Sequence, residues 1–417
     1  MTRSGLKLTV LGWSLAIPVL VLSGFSLASI HATDRSMTAP EETEVINAVR
    51  PVETHWLDAA LKSIGELTLR QAFYFVTGVI LMLMTLIPSY RRIGQYSYWI
   101  YWLLIGLLVI LLADKYGSRY GLNLPLISPR NNSWRWIQLG PFSIQPSEFM
   151  KVAQILALAY YLRYRNSYRR WSGLIQPFLL TLLPMGLILK QPDLGTVLMF
   201  LPVLFMMLFV AGARLRHLAT IVLLAGLATP FFYFYGMEDY QKERIQVLLK
   251  QNDDDELWHM NQGYQLRQSL IALGTGAVTG DTDDEHAFIQ YNLLPEEHND
   301  FIFAVIGNKW GLVGCVTVIL AYVVIIVCGL EVAVVTNDPF GRLLAVGVVV
   351  MIVVQALLNM SMTLGLAPIT GMTLPFVSAG GSSLWANFLA LGLLVNVAQR
   401  RPMLIANPPF EHAEEDE

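Results

Sequence analysis

Apolar residues along the chain fall into ten blocks, at roughly residues 8–30, 70–88, 97–114, 148–163, 173–190, 194–211, 216–236, 301–331, 342–366 and 380–398. Most are close to the ~20 residues that a helix needs to cross a bilayer core. A soluble core is not cut into so many blocks of this length, so the pattern predicts an all-α, polytopic membrane bundle of about ten transmembrane helices. The fourth block is the weakest, because Glu148 and Lys151 sit near its start. One further amphipathic stretch, residues 263–274, is too short to span and predicts a helix that lies in the interface or re-enters.

Composition agrees with lipid as the solvent: 54% of the 417 residues are hydrophobic and 14% are charged, against about 25% charged in soluble domains. The net charge of -3 points to no nucleic-acid partner, and its distribution is more informative. Placing the N-terminus inside puts Arg3, Lys7, Arg91, Arg92, Arg163, Arg165, Arg169, Arg170, Arg214, Arg216, Arg342, Arg400 and Arg401 on the cytoplasmic side, all in short connections or tails. The other side receives two long segments, 31–69 and 237–300. The second holds 14 acidic residues against four basic ones between Glu238 and Asp300. Both termini are therefore expected in the cytoplasm. The run from Leu8 to Ala28 exceeds the 7–15 residue core of a cleavable signal peptide, so the first span is expected to be retained. Residues 1–403 read as one transmembrane domain and 404–417 as an acidic cytoplasmic tail. Cys315 and Cys328, 13 apart in one apolar stretch, would be roughly 20 Å apart on a helix, too far for a disulfide.

Candidate chemistry gathers at the outer ends of the spans. Trp134-Arg135-Trp136 is followed by Gln145-Pro146-Ser147-Glu148 and, one turn on, Lys151. Glu148 and Lys151 share a helix face and read either as a packing ion pair or as a pair lining a substrate cavity. Lys190-Gln191-Pro192-Asp193-Leu194-Gly195-Thr196 reads as a turn in which Asp193 caps the next helix. The long outer loop ends in Leu294-Pro295-Glu296-Glu297-His298-Asn299-Asp300-Phe301. There Asp300 is either a helix cap or a carboxylate whose pKa is raised by Glu296, Glu297 and the apolar boundary, as a general base requires. The chain has no Walker loop, dinucleotide glycine pattern, His-x-x-x-His or Cys-x-x-Cys spacing, which argues against nucleotide-driven pumping and zinc chemistry.

At these residues the chain resembles the SEDS family of RodA, FtsW and SpoVE. The matching segments are 136–151, 191–196, 240–245, 263–276, 294–304 with 311–314, and 365–383, in the family's order. The stretch Gln191-Pro192-Asp193-Leu194-Gly195-Thr196, with Tyr264-Gln265 and Gln268-Ser269, leans toward the RodA branch. The resemblance implies a ten-span fold and a peptidoglycan glycosyltransferase that polymerises lipid II on the outer side of the bacterial cytoplasmic membrane. A lipid-linked glycan would pass to the GlcNAc 4-hydroxyl of lipid II with inversion, giving a β-1,4 link and releasing undecaprenyl diphosphate. The family's essential aspartate falls on Asp300 and its cavity pair on Glu148 and Lys151. Arg135, Lys151, Lys190 and Arg267 are the candidate cations for the diphosphate, and Asp193, Gln268, Glu297 and His298 are further substrate-site candidates. A divalent cation, Mg or Mn, held by carboxylates is an alternative stabiliser, and no organic cofactor is implied. The implied partner is a class B penicillin-binding transpeptidase. Departures from the pattern are Asn299 for the usual threonine, Asn308-Lys309 for an acidic pair, an acidic stretch from Gly280 to Glu285 and a long first outer loop. A lipid II flippase, with a headgroup path past Glu148, Lys151 and Lys190, and a non-catalytic scaffold for the transpeptidase are the competing readings.

Overall fold

The computed structural model describes residues 10–37, 65–118, 127, 133–140, 142–165, 167–251, 263–280 and 299–400. The chain enters through α1 (Val10–Met37), α2 (Glu66–Leu86), the short α3 (Tyr90–Gln95) and α4 (Ser97–Gly117). A hairpin follows, β1 (Ile137–Leu139) antiparallel to β2 (Phe142–Ile144), with Gln138 opposite Ser143. Next come α5 (Pro146–Leu162), α6 (Trp171–Leu189), α7 (Leu194–Ala211) and α8 (Leu215–Tyr235). Two short helices, α9 (Asp239–Leu249) and α10 (Tyr264–Thr275), precede α11 (Ile302–Val335), α12 (Pro339–Thr363) and α13 (Gly381–Gln399).

Among the described residues nine helices are long and apolar enough to cross a membrane. The tenth expected span is α5, which has only 17 residues. Its burial explains how it tolerates Glu148 and Lys151: every residue except Phe149 and Tyr160 is buried. Surrounded by α4, α6, α7, α12 and α13, it meets protein along nearly its whole length, and polar residues there need partners more than apolarity. At the other extreme, α8 buries only His217 and Leu218, both in its first turn, and is otherwise exposed along its length. The first outer segment is shorter than expected at both ends, since α1 runs to Met37 and α2 starts at Glu66. Buried Asp34 joins the two helices by accepting from the Thr68 amide and hydroxyl, both at 3.1 Å. The acidic tail 404–417 lies outside the described residues. Cys315 and Cys328 are free and buried, as their spacing predicts.

The short stretch expected to lie in the interface or re-enter forms α10, and a turn follows it. That turn locks into a break in α11, where Gly311 takes φ 61°, ψ −156°, a region open essentially to glycine alone. The break frees the amides of Leu312 and Val313, which donate to the carbonyls of Ala277 (3.0 Å) and Val278 (3.2 Å). A Cβ on Gly276 would lie 1.9 Å from the Gly307 carbonyl oxygen, and one on Gly311 would lie 2.4 Å from the Gly280 nitrogen. The two backbones therefore touch because neither carries a side chain there. We expect Gly311→Ala to cost about 2–4 kcal/mol from backbone strain and overpacking, read as a lower unfolding midpoint of the purified protein in detergent. An unchanged midpoint would mean the interlock contributes nothing.

Candidate active site

Between α12 and α13 the chain crosses residues 364–380 without regular structure, although much of this loop is buried. Buried backbone without a ladder needs other partners for its polar groups. Side chains from four helices supply them. The Ile369 carbonyl accepts from Arg244 of α9 (2.7 Å), that of Met372 from Asn359 of α12 (2.6 Å) and that of Thr373 from Gln355 of α12 (2.9 Å). Pro375 accepts from the Tyr322 hydroxyl of α11 (2.5 Å), and Ser378 from Gln71 of α2 (3.2 Å). Asn359 also donates to the Asp300 carbonyl at 2.8 Å. The segment that opens α11 and the loop are thus held by one side chain.

Asp300 and Arg244 flank Gly371, which sits at φ 69°. A Cβ at that glycine would be 3.3 Å from Asp300 Oδ2 and 4.0 Å from Arg244 Nη1. The glycine leaves room between a carboxylate and a guanidinium. Burial, then the nearby Arg135, lower the pKa of Arg244, while Asp300 opposes the shift; the guanidinium stays charged at any physiological pH. Tyr240, one turn before Arg244 on α9, has its pKa raised by burial and lies in the field of both arginines.

Asp193 organises the adjoining wall. It caps α7 through the Thr196 amide (3.3 Å) and accepts from Thr196 Oγ1 (2.9 Å), Gln145 Nε2 (3.0 Å) and Ser147 Oγ (3.2 Å). Arg135 lies 3.9 Å from its carboxylate and donates to the carbonyls of Gln191, at 2.7 Å, and Pro192. Arg135 thereby fastens the hairpin to the turn between α6 and α7. Beside the hairpin, Leu69, Arg70, Phe73, Tyr74 and Phe142 line a cavity of about 270 Å³, with Phe73 and Phe142 stacked at 5.3 Å.

Glu148 and Lys151 pair at 2.8 Å, with 10% and 3% of their side chains exposed. Lys151 also donates to Gln355 (3.2 Å), whose amide reaches Thr373 and Ser383. A chain of polar contacts therefore runs from the pair into the loop that flanks Asp300.

The structure thus brings Asp300, Arg135 and Asp193 into the field of one guanidinium, that of Arg244, and links Glu148–Lys151 to the loop beside it. Lys190 is exposed at the end of α6, its carbonyl accepting from Lys115 at 2.7 Å. Arg267 is exposed on α10, and Gln268 beside it is half-buried. Glu296, Glu297 and His298 lie outside the described residues, as does the acidic stretch after Gly280. Among the described residues no three His, Cys, Asp or Glu converge on a metal position.

Sequence reading missed Arg244, Gln355 and Asn359. Arg244 lies within a matched segment, but is one of four basic residues in an acidic loop. Gln355 and Asn359 carried a readable signal: two amides four residues apart on one face of an apolar span.

Known proteins match this chain along most of its length. The family model described as "Cell cycle protein", that of FtsW, RodA and SpoVE, matches residues 52–402. A probable peptidoglycan glycosyltransferase FtsW from Geobacter metallireducens is 35% identical over 334 residues, 79% of this chain and 84% of that protein. The peptidoglycan glycosyltransferase RodA of Treponema pallidum is 30% identical, covering 80% of this chain and 90% of its own. Identity at these levels gives the RodA branch no advantage over the FtsW branch. A solved chain from a peptidoglycan synthase complex that coordinates polymerization and crosslinking superposes with a TM-score of 0.72 at 26% identity, covering 96% of this chain and all of its own. Matched along most of its length in sequence and fold, this chain belongs to the SEDS family of FtsW, RodA and SpoVE.

Proposed function

We propose that the chain is a peptidoglycan glycosyltransferase in which Asp300 is the general base and Arg244 the principal cation for the leaving diphosphate. The observation that carries this reading is the placement of the two groups on either side of Gly371, each in the other's field. A carboxylate and a guanidinium on either side of one glycine suit a reaction that removes a proton at one point and releases negative charge at another. Asp300 takes the proton of the GlcNAc 4-hydroxyl. That oxygen attacks the anomeric carbon of the lipid-linked glycan from the face opposite the diphosphate. The carbon–oxygen bond to the diphosphate breaks with inversion, and its charge falls on Arg244, with Arg135 behind it. Positioning and base catalysis suffice, without a covalent enzyme intermediate. The aromatic cavity at Phe73 and Phe142 offers an apolar surface for a polyprenyl tail.

Sidedness follows the basic residues: their cluster lies at the far end of α5 and α7 from Asp193 and Asp300, which supports an active site on the outer face of the cytoplasmic membrane. The solved relative belongs to a complex with crosslinking activity, which supports a transpeptidase as partner. The transport reading loses support, since Lys151 is buried in a network and Lys190 is exposed at the end of α6.

The test is polymer formation from labelled lipid II by detergent-solubilised protein, where no bilayer exists to cross. Glycan strands are expected; flipping in liposomes with no polymer in detergent would instead assign transport. In the same assay Arg244→Gln should lower the turnover rate about 10²–10³-fold, the scale of losing one preorganised charge-stabilising group. A normal rate would remove Arg244 from the mechanism.

A further inference from the structure

The end of the bundle opposite Asp300 carries a second concentration of charge that polymerisation does not use. Two connections meet there, α5 to α6 and α7 to α8. Their proximity is direct: the Trp171 and His217 rings lie 4.3 Å apart, and Arg169 Nη2 would be 3.8 Å from a Cβ on Gly212. The two connections supply Arg163, Arg165, Arg169, Arg170, Arg214 and Arg216. All but half-buried Arg163 are exposed. No Asp or Glu occurs from Phe149 to Pro192 or from Leu194 to Met237, and among the described residues none of the six arginines is in an ion pair. Arg163 and Arg165 are held on aromatic faces, 3.5 Å from the Tyr160 ring and 4.3 Å from that of Tyr161.

Two further features point to an anion. Helices α6 and α8 both begin here, just after Arg170 and Arg214, and neither has a side-chain cap, so both turn the positive end of a helix dipole this way. Buried His217, 5% exposed, has Nδ1 without a hydrogen-bond partner. Next to this polar floor the bundle shows lipid-facing surface. Ile175 and Leu179 of α6, Phe209 of α7, and Val222 and Leu223 of α8 are all more than half exposed. Beyond its first turn α8 buries none of its residues.

We propose that this foot of the bundle binds an anionic phospholipid, with the headgroup phosphate on the arginines and the acyl chains along α6, α7 and the free face of α8. Uncompensated arginines suit a phosphodiester through bidentate contacts, and the exposed apolar faces beginning at the same level suit a diacyl tail, which a soluble anion lacks. Assignment to the cytoplasmic leaflet rests on the sidedness proposed above. Because α8 leads into α9, which carries Tyr240 and Arg244, a lipid that braces α8 at its foot also steadies the approach to the outer site.

The test uses purified full-length protein in neutral detergent, titrated with phosphatidylglycerol or phosphatidylcholine, with bound lipid counted by native mass spectrometry. Retention of phosphatidylglycerol at concentrations where phosphatidylcholine is lost is expected. The double variant Arg169→Gln/Arg214→Gln should weaken phosphatidylglycerol retention roughly tenfold or more, and Arg169→Lys/Arg214→Lys should restore part of it. Equal retention of the two lipids by wild type would overturn the proposal, whether or not the variants fold. Displacement by inorganic phosphate beyond that by chloride at equal ionic strength would also overturn it, assigning a soluble anion. Labelling of a Tyr164→Cys variant by an impermeant thiol reagent outside intact cells would overturn the leaflet assignment. None of these readouts uses polymerisation, so the proposal can fail while the enzymatic reading stands, and the reverse.

Discussion

Asp300→Asn protein should bind lipid II and make almost no glycan, with a turnover rate at least about 10²-fold below wild type, the lower end of what a positioned general base contributes. The carboxamide has nearly the carboxylate's shape, and the backbone that sets its place is untouched: Asn359 still holds the residue's carbonyl and the Met372 carbonyl opposite. Loss of activity would therefore report lost basicity, provided the unfolding midpoint is unchanged. The informative comparison is with Gly371→Ala. That change places a methyl 3.3 Å from Asp300 Oδ2 at a backbone angle disfavoured for alanine, so it should weaken substrate binding as well as turnover. A normal rate for Asp300→Asn would end the catalytic assignment.

The second large effect concerns stability. Lys151→Met leaves Glu148 buried without its cation, and should cost about 3–5 kcal/mol, as breaking a buried pair does. Protein would be recovered in low yield or with a much lower unfolding midpoint. Adding Glu148→Gln removes the orphaned charge and should return most of the stability, because neutral replacements of buried pairs are often tolerated. Polymerisation by this double variant should still be at least about tenfold down. Gln355 loses its contact with Lys151, and through Thr373 the loop beside Asp300 loses an anchor; small misplacements near reacting groups are costly in rate. Full activity in the stable double variant would reduce the pair to a packing device. If the double variant is as unstable as the single one, the charge-orphaning account fails.

Much of the architecture was legible in the order of residues. The ten apolar blocks correspond to ten helices, and the short amphipathic stretch at 263–274 is α10. The block flagged as weakest for its charges is the helix that protein covers most evenly. These features are local: a span's length and a helix's periodicity are written in consecutive residues, and the burial of α5 follows from charges lipid would not tolerate. The interlock at Gly276 and Gly311 was not legible. A glycine in a sequence does not say which distant backbone it will touch.

The candidate site divides in the same way. Residue order alone established a membrane helix bundle, the accumulation of arginine at one set of helix ends, and a carboxylate, Asp300, at the mouth of an apolar span. It also marked Glu148 and Lys151 as a pair, since three residues on a helix bring side chains together. Which cation meets Asp300 was decided by packing: Arg244 arrives on a separate short helix, and both reach Gly371 of a third segment. Likewise Lys151 finds Gln355 204 residues away, which turns a local pair into a support for the loop beside the carboxylate. Periodicity acts over a few residues, whereas such encounters depend on how whole helices cross, so they exist only once the bundle has closed.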